Sequence, residues 1–268
     1  MNPITAAAYI EQRGDPLQRA RLRYIYYRQP PTDEALHQFL AGQRPDGGWQ
    51  SAWAPNYSSI DTTCAMLFRA EQLGLGASEP ALLRALHFLT RRQQADGAWE
   101  EAPNLSSLAP PMALPGSREA RLFLTASAGY WLARLAPPDM GSLRESAGRA
   151  AAVLQTYMAG RDRLPSFMPA DWLAAGMWQC LGRAEVANRL YPFMESRVPE
   201  MSAGQLAWLI VTLRGAGLDA NHTLLTAAGT RLAELQADDG RWPSAEGPAR
   251  DVEDTLDALF ALRQVNRL

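Results

Sequence analysis

The chain has 268 residues, 47% of them hydrophobic and 20% charged, with a net charge of −2. A chain of this size and composition can bury a large core, and its near-neutral charge without a basic stripe argues against nucleic acid as a partner. It has no lysine, which excludes Schiff-base and P-loop chemistry. It also lacks the uninterrupted apolar run of ~18 residues that a spanning helix needs. We expect a cytoplasmic protein and leave peripheral membrane contact open.

Apolar residues recur at helical spacing along the whole chain, and proline- or glycine-rich segments separate the periodic stretches. The longest such segment, residues 102–117, is interpreted as an insertion. The remaining pattern predicts six consecutive helix pairs and leaves nothing over for a second domain. The predicted helices cover residues 4–13, 16–29, 32–43, 58–74, 78–93, 118–136, 140–160, 166–183, 184–197, 202–217, 220–236 and 247–267.

One short motif, Gln-x-x-Asp-Gly-x-Trp, occurs three times and indicates an internal repeat. The first two tryptophans are 50 residues apart and the third lies 143 residues further on, close to three more units of the same length. Each unit is predicted as an outer helix, an Asp–Gly turn that ends it, and an inner helix. The copies run from Gln43 to Trp49, from Gln93 to Trp99 and from Gln236 to Trp242.

The middle copy is the most complete, and its extended form is Arg84-Ala85-x-x-Phe88-Leu89-x-x-x-Gln93-x-x-x-Gly97-x-Trp99. This pattern resembles the QW repeat of triterpene cyclases such as squalene-hopene cyclase. The chain therefore resembles the terpenoid cyclase and protein prenyltransferase superfamily. The resemblance, with the six helix pairs, implies an all-α fold in which residues 1–268 form a single (α/α)6 toroid.

A zinc-dependent prenyltransferase is not expected, although such enzymes share the single-toroid length. The resembled enzymes hold zinc through an Asp-x-Cys pair and a distant histidine, and no Asp-x-Cys occurs here. The nearest approach is Asp61 and Cys64, three residues apart. We expect neither a metal nor a cofactor.

The acidic segment Asp251-Val252-Glu253-Asp254-Thr255 resembles the Asp-x-Asp-Asp-Thr motif of class II terpene cyclases, in which the middle acid protonates an alkene or epoxide. The resemblance implies that Glu253 is the proton donor and that Asp251 and Asp254 tune it. Crowded, desolvated carboxyl groups suit this task because one of them keeps its proton at neutral pH. Asp257 adds a further acid to the crowd.

A structural interpretation of the same segment stays open. Asp254 follows Trp242 at the same distance as Asp61 follows Trp49, so an acid at this place belongs to the repeat. It would then accept backbone N–H groups at the front of an inner helix. In this alignment Asp251 and Glu253 correspond to Ser58 and Ile60 of the first repeat, so these two acids have no acidic counterpart there. They are therefore the residues that distinguish a catalytic segment from a structural one.

Aromatic side chains on the predicted inner helices are candidates for substrate binding, because aromatic faces attract a carbocation; filling the core is the other role open to them. Arginines such as Arg21 and Arg121 are candidates for holding a diphosphate or belong to the solvated surface. The candidate substrate-binding set is Tyr130, Trp131, Trp172, Trp178, Trp208, Phe260 and the acidic Asp61.

Two functions of different class follow from these patterns. The first is a class II cyclase that acts on an isoprenoid or polyene by protonation-initiated cyclisation. The second is a non-catalytic toroid that binds a hydrophobic ligand or a partner protein. Because the cavity of the resembled triterpene cyclases lies between two toroids, a second toroid chain or a homo-oligomer is a further expectation.

Overall fold

A computed structural model describes residues 1–268 and is helical almost throughout, which confirms the predicted all-α class. No helix combines the length and the apolar character needed to cross a bilayer. Apart from the helices and the segments that connect them, the chain has two two-residue strands, β1 (Trp49–Gln50) and β2 (Ser58–Ser59), which pair antiparallel with Trp49 opposite Ser59. The helices are α1 (Pro3–Arg13), α2 (Pro16–Tyr27), α3 (Asp33–Leu40), α4 (Ile60–Gln72), α5 (Pro80–Arg92), α6 (Arg118–Leu135), α7 (Gly141–Tyr157), α8 (Pro169–Cys180), α9 (Ala184–Asn188), α10 (Tyr191–Arg197), α11 (Ala203–Gly215), α12 (Thr223–Glu234) and α13 (Asp251–Gln264).

The predicted helices match these elements with one exception. The stretch predicted as one helix over residues 184–197 is two, α9 and α10. Pro192 explains the break, because proline has no N–H to bond the carbonyl of Asn188 and its ring collides with that carbonyl. The chain therefore turns at residues 189–190 and α10 begins with the proline in its first turn.

The chain divides into two compact units. The first contains Met1–Phe39, Gln72–Gly74 and Tyr191–Leu268, and the second contains Leu40–Glu71 and Leu75–Leu190. In the first unit α13 packs against α11, α1 and α2. The last turn of α4 contributes Gln72 to this unit, which matters below because that side chain reaches α13.

In the second unit α6 is the central helix and packs against α7 and α8. It is buried on nearly all sides, as a helix surrounded by other helices must be. Gly129 allows the close approach, because a Cβ there would lie 2.5 Å from the Met177 sulfur and 2.9 Å from the Ala150 Cβ. The predicted insertion forms two short 3₁₀ turns, Pro103–Leu105 and Pro111–Ala113, and the second of them packs on α6.

The three repeat motifs form the same structure. In each, the glutamine side chain donates to the carbonyl of the motif glycine, at 3.0, 2.9 and 2.8 Å along the chain. The same amide also donates to a carbonyl of another helix or its cap, namely Ala81, Ser146 and Asn2. The aspartate accepts the N–H two residues further on. The repeat assignment is thus supported bond by bond.

The turn differs from its prediction in one respect. The Asp–Gly pair was expected to end the outer helix, yet α5 ends at Arg92 and the left-handed residue is Gly97, with φ of 91°. The pair instead closes a separate β-turn in which the Gly97 N–H bonds the Gln94 carbonyl at 2.9 Å. The glutamine lies between helix and turn and holds the two together.

Candidate functional site

The motif tryptophans are buried and connect each turn to the helix that follows. Their backbone N–H groups donate to Thr63, Thr125 and Thr255 at 2.9, 3.0 and 3.0 Å. Each threonine hydroxyl in turn donates to the carbonyl four residues before it, a bond that helical threonines commonly make. The acidic segment at the front of α13 is therefore held in place by the third repeat.

These bonds correct the alignment drawn from sequence. Thr63 and Thr255 are equivalent, so the first and third repeats differ by one residue in the connection after the tryptophan. The counterpart of Glu253 is consequently Asp61, and the counterpart of Asp251 is Ser59. The expectation that Glu253 lacks an acidic counterpart is wrong.

Both carboxyl oxygens of Asp251 have partners at the start of α13. One of its oxygens accepts the Ser244 N–H at 2.8 Å and the other lies 3.3 Å from a guanidinium nitrogen of Arg241. Asp171 makes the same bond in the other unit, accepting the N–H of Leu164 seven residues before it, at 2.8 Å. Both aspartates tie the connection that precedes an inner helix to the first residues of that helix.

Glu253 has a donor on each oxygen. Oε2 accepts from Arg21 at 2.6 Å, and Oε1 accepts from the Gln18 amide at 2.8 Å. The amide orientation follows from the network, because the Gln18 oxygen is already occupied by the Asp15 N–H at 2.9 Å. Arginine and an amide N–H₂ only donate, so both contacts favour the charged carboxylate.

Asp254 and Asp257 are in different surroundings. Asp254 is buried against Gly204, and burial raises the pKa of its carboxyl, with Ser244 and Arg250 acting against the rise. Burial also raises the pKa of Asp257 to about 6, against the lowering effect of Arg21. Neither carboxyl is the expected helix cap, since no side chain caps α13.

Arg21 organises this cluster and is itself only 1% exposed. Its Nε donates to the Gln72 oxygen at 2.7 Å, and its two terminal nitrogens donate to Glu253 at 2.6 Å and to Asp257 at 3.2 Å. Arg21 is therefore fully engaged by protein groups. Its contacts do not fit the suggested role of holding a diphosphate, and Arg121 likewise is bonded to Asp96 in the second repeat turn.

Asp61, the fourth acid proposed from sequence, lies at the front of α4. Burial raises the pKa of its carboxyl to about 6. The carboxylate that caps α4 is Glu101, which accepts the N–H groups of Ile60 at 2.8 Å and of Asp61 at 3.3 Å. Glu101 was not anticipated, because it reaches the helix from the residues just after the second repeat tryptophan.

The candidate aromatic residues fall into two groups by exposure. Trp172 and Trp178 in α8 have no surface that a water-sized probe reaches, and Tyr130 and Trp131 in α6 have almost none. Tyr130 and Trp131 stack edge to face with ring centroids 5.0 Å apart. Phe260 in α13 is also buried, and Trp208 in α11 is half-buried. Most of these rings are core, and Trp208 is the least buried of them.

Comparisons with known proteins agree with the repeat and the helical architecture. The family model described as "Squalene-hopene cyclase C-terminal domain" matches residues 20–132. No curated protein matches the chain significantly. Among solved structures, the chain is similar to an arginine-to-alanine variant of the type II terpene cyclase MstE from Scytonema, in complex with its substrate geranylgeranyl dihydroxybenzoate. The TM-score is 0.57 and the sequence identity is 17%. The match covers 98% of this chain and 88% of that one. The predicted toroid fold is confirmed by this likeness.

Proposed function

We propose that this chain, a member of the terpenoid cyclase-like toroid superfamily, binds a prenylated or other polyene molecule and cyclises it by protonating a carbon–carbon double bond. The observation that carries the proposal is the buried carboxyl cluster on α13, in which burial raises the pKa of two acids. A group that protonates an alkene must still hold its proton near neutral pH, and burial shifts the pKa of Asp254 and Asp257 in that direction.

The similar structure supports a hydrophobic small molecule as the partner. That protein is a type II terpene cyclase bound to a geranylgeranyl compound, and this chain spans 88% of it. A chain of about this length is thus compatible with the reaction without a second toroid. The accessible ring of Trp208 is proposed to face the carbocation, since aromatic faces stabilise positive charge.

The proposed reaction is an isomerisation. The O–H bond of a carboxyl group breaks and leaves its electron pair on the carboxylate, while the π electrons of the terminal double bond form the new C–H bond. Further double bonds attack the resulting cation and close rings, and the last cation loses one proton to water. Solvent then reprotonates the carboxylate, so no oxidant, reductant or metal enters the balance.

A non-catalytic toroid that binds a hydrophobic ligand is the second candidate, and one observation favours it. The residue in the position of the family's acid, Glu253, is a glutamate paired with Arg21 at 2.6 Å. Such a pair favours the charged carboxylate over the protonated acid that a proton donor needs. If no other carboxyl takes over, the fold remains a binding module.

One assay separates the two candidates. The purified protein is incubated with geranylgeranyl dihydroxybenzoate, and with geranylgeraniol as a second probe, and extracts are analysed by liquid chromatography and mass spectrometry. An earlier- or later-eluting product of unchanged mass supports the cyclase, and saturable binding without a new product supports the binding module. If the protein neither binds nor converts any polyprenyl probe, both candidate functions are contradicted.

A further inference from the structure

Resting on the proposed function, we infer that Asp257 is the proton donor and that the Arg21–Glu253 pair is the device that holds it ready. The inference moves the acid one helical turn beyond the family-like motif. Residues four apart lie on the same helix face, so Asp257 and Glu253 present their carboxyl groups to the same arginine.

The two oxygens of the Asp257 carboxyl have different surroundings. Both of its hydrogen bonds fall on Oδ1, which accepts from Arg21 at 3.2 Å and from the Gln72 amide at 2.7 Å. The Gln72 orientation is set, because its oxygen accepts from Arg21 at 2.7 Å. Oδ2 has no protein partner and is the atom that carries the proton.

The Asp257 carboxyl is accessible to a bound molecule. The Asp257 side chain keeps 18% of its surface accessible although it is enclosed by protein. The Asp251 side chain is 4% exposed, and Asp254 is buried. The Glu253 side chain is 17% exposed, but each of its oxygens has a donor. Asp257 is therefore the carboxyl of this segment that combines accessible surface with an oxygen that has no protein donor.

Glu253 offsets the effect of Arg21 on Asp257. Arg21 alone would draw Asp257 into an ion pair and lower its pKa, as a guanidinium within hydrogen-bond distance does. Glu253 takes the shorter bond, 2.6 Å against 3.2 Å, and neutralises the arginine. Its negative charge also disfavours a second carboxylate nearby, which raises the pKa of Asp257 and favours its protonated form. Glu253 is thus a positioning residue whose charge sets the acidity of its neighbour.

The charged surroundings of Asp257 are limited. Arg21 comes from α2, Glu253 and Asp254 come from α13, and the neutral Gln72 comes from α4. Helices α1, α11 and α12 also pack against α13, but their charged side chains are engaged elsewhere: Arg13 over the Tyr9 ring, Arg214 at the carbonyls of Leu218 and Gln264, and Arg231 at Glu234.

The test begins with a measurement that needs no activity. Infrared spectra of the whole protein with isotopically labelled aspartate are recorded between pH 5 and pH 8, for the parent and for Asp257→Asn. A protonated-carboxyl band that titrates near the pKa of about 6 and is missing in Asp257→Asn supports the inference. Asp61 and Asp171, whose pKa values are raised to about 6 and about 7, contribute bands in both proteins, so the difference between the two spectra is decisive. If Asp257→Asn removes no component of the carboxyl band, the inference is overturned, whatever the assay for cyclisation gives.

Activity then separates donor from positioning residue. With geranylgeranyl dihydroxybenzoate as probe, Asp257→Asn is expected to lose ~10²–10⁴-fold in turnover, as loss of a general acid does. Glu253→Gln is expected to move the pH profile to lower pH and to recover rate on acidification, and Glu253→Asp to restore the parent profile. A purely structural Glu253 would change thermal stability and leave the profile in place. Turnover in the parent with no loss in Asp257→Asn overturns the inference alone, whereas no turnover in the parent counts against the proposed function.

Discussion

Replacing the motif glycine of the first repeat by alanine tests how the repeat turn is docked. Gly47 has φ of 92°, and a Cβ there would lie 2.8 Å from the carbonyl carbon of Arg84 in α5 and closer still to its oxygen. Gly182 in the same unit has φ of 75° and nothing within 4 Å of the added atom. The two alanine variants therefore share the backbone strain and differ in the collision.

The magnitudes follow from these two terms. A left-handed alanine costs about 1–2 kcal/mol, and forcing an atom into a packed place costs about 1–3 kcal/mol more. We expect Gly182→Ala to lower the free energy of unfolding by about 1–2 kcal/mol and Gly47→Ala by about 2–5 kcal/mol. Urea denaturation followed by circular dichroism measures both. Equal losses would show that the turn does not rest on α5, and the repeat geometry described above would then be wrong.

Two further predictions concern stability. Trp99→Ala should lose about 3–5 kcal/mol of unfolding free energy. Trp99→Phe should lose less, because phenylalanine keeps a buried ring and gives up only the indole bond to the Leu89 carbonyl at 2.7 Å and part of the ring volume. An unchanged denaturation midpoint in the alanine variant would contradict the repeat assignment. Burial raises the pKa of Asp171 to about 7, about 3 units above that of an unperturbed aspartate, so the folded state binds the proton more tightly than the unfolded state. Stability from this group is full below about pH 4 and is lost as pH rises through 7, by up to about 4 kcal/mol, and Asp171→Asn should flatten that slope in thermal melts between pH 4 and pH 8. Asp61 and Asp257 leave a smaller slope in the variant, because burial raises their pKa values to about 6. An undiminished slope would contradict the assignment to Asp171.

The helical architecture could be predicted from the sequence because its signals are local. Apolar periodicity and proline or glycine breaks place the helices to within a few residues, and the repeat supplies the order of outer and inner elements. Pro192 is also a local signal, and it accounts for the division between α9 and α10 where a single helix is predicted over residues 184–197. The alignment error had a different cause, since spacing from the tryptophan ignores a one-residue difference in the following connection.

The site could be predicted only in part. Glu253 and Asp257 lie four residues apart, so their common helix face is readable from the chain. Their shared partner is not, because Arg21 is 232 residues from Glu253 and Gln72 is 185 residues from Asp257. Pairing over such distances depends on the tertiary fold, and it decides which acid of the segment is held as a carboxylate.

The central claim is that a proton from the protein starts the cyclisation, and deuterium incorporation tests it most directly. The protein is equilibrated in deuterium oxide, incubated with geranylgeranyl dihydroxybenzoate, and the product is analysed by mass spectrometry and carbon NMR. The account predicts a cyclised product with one deuterium on a carbon of the former terminal double bond. Substrate recovered unchanged, or a cyclised product without deuterium on carbon, would contradict it.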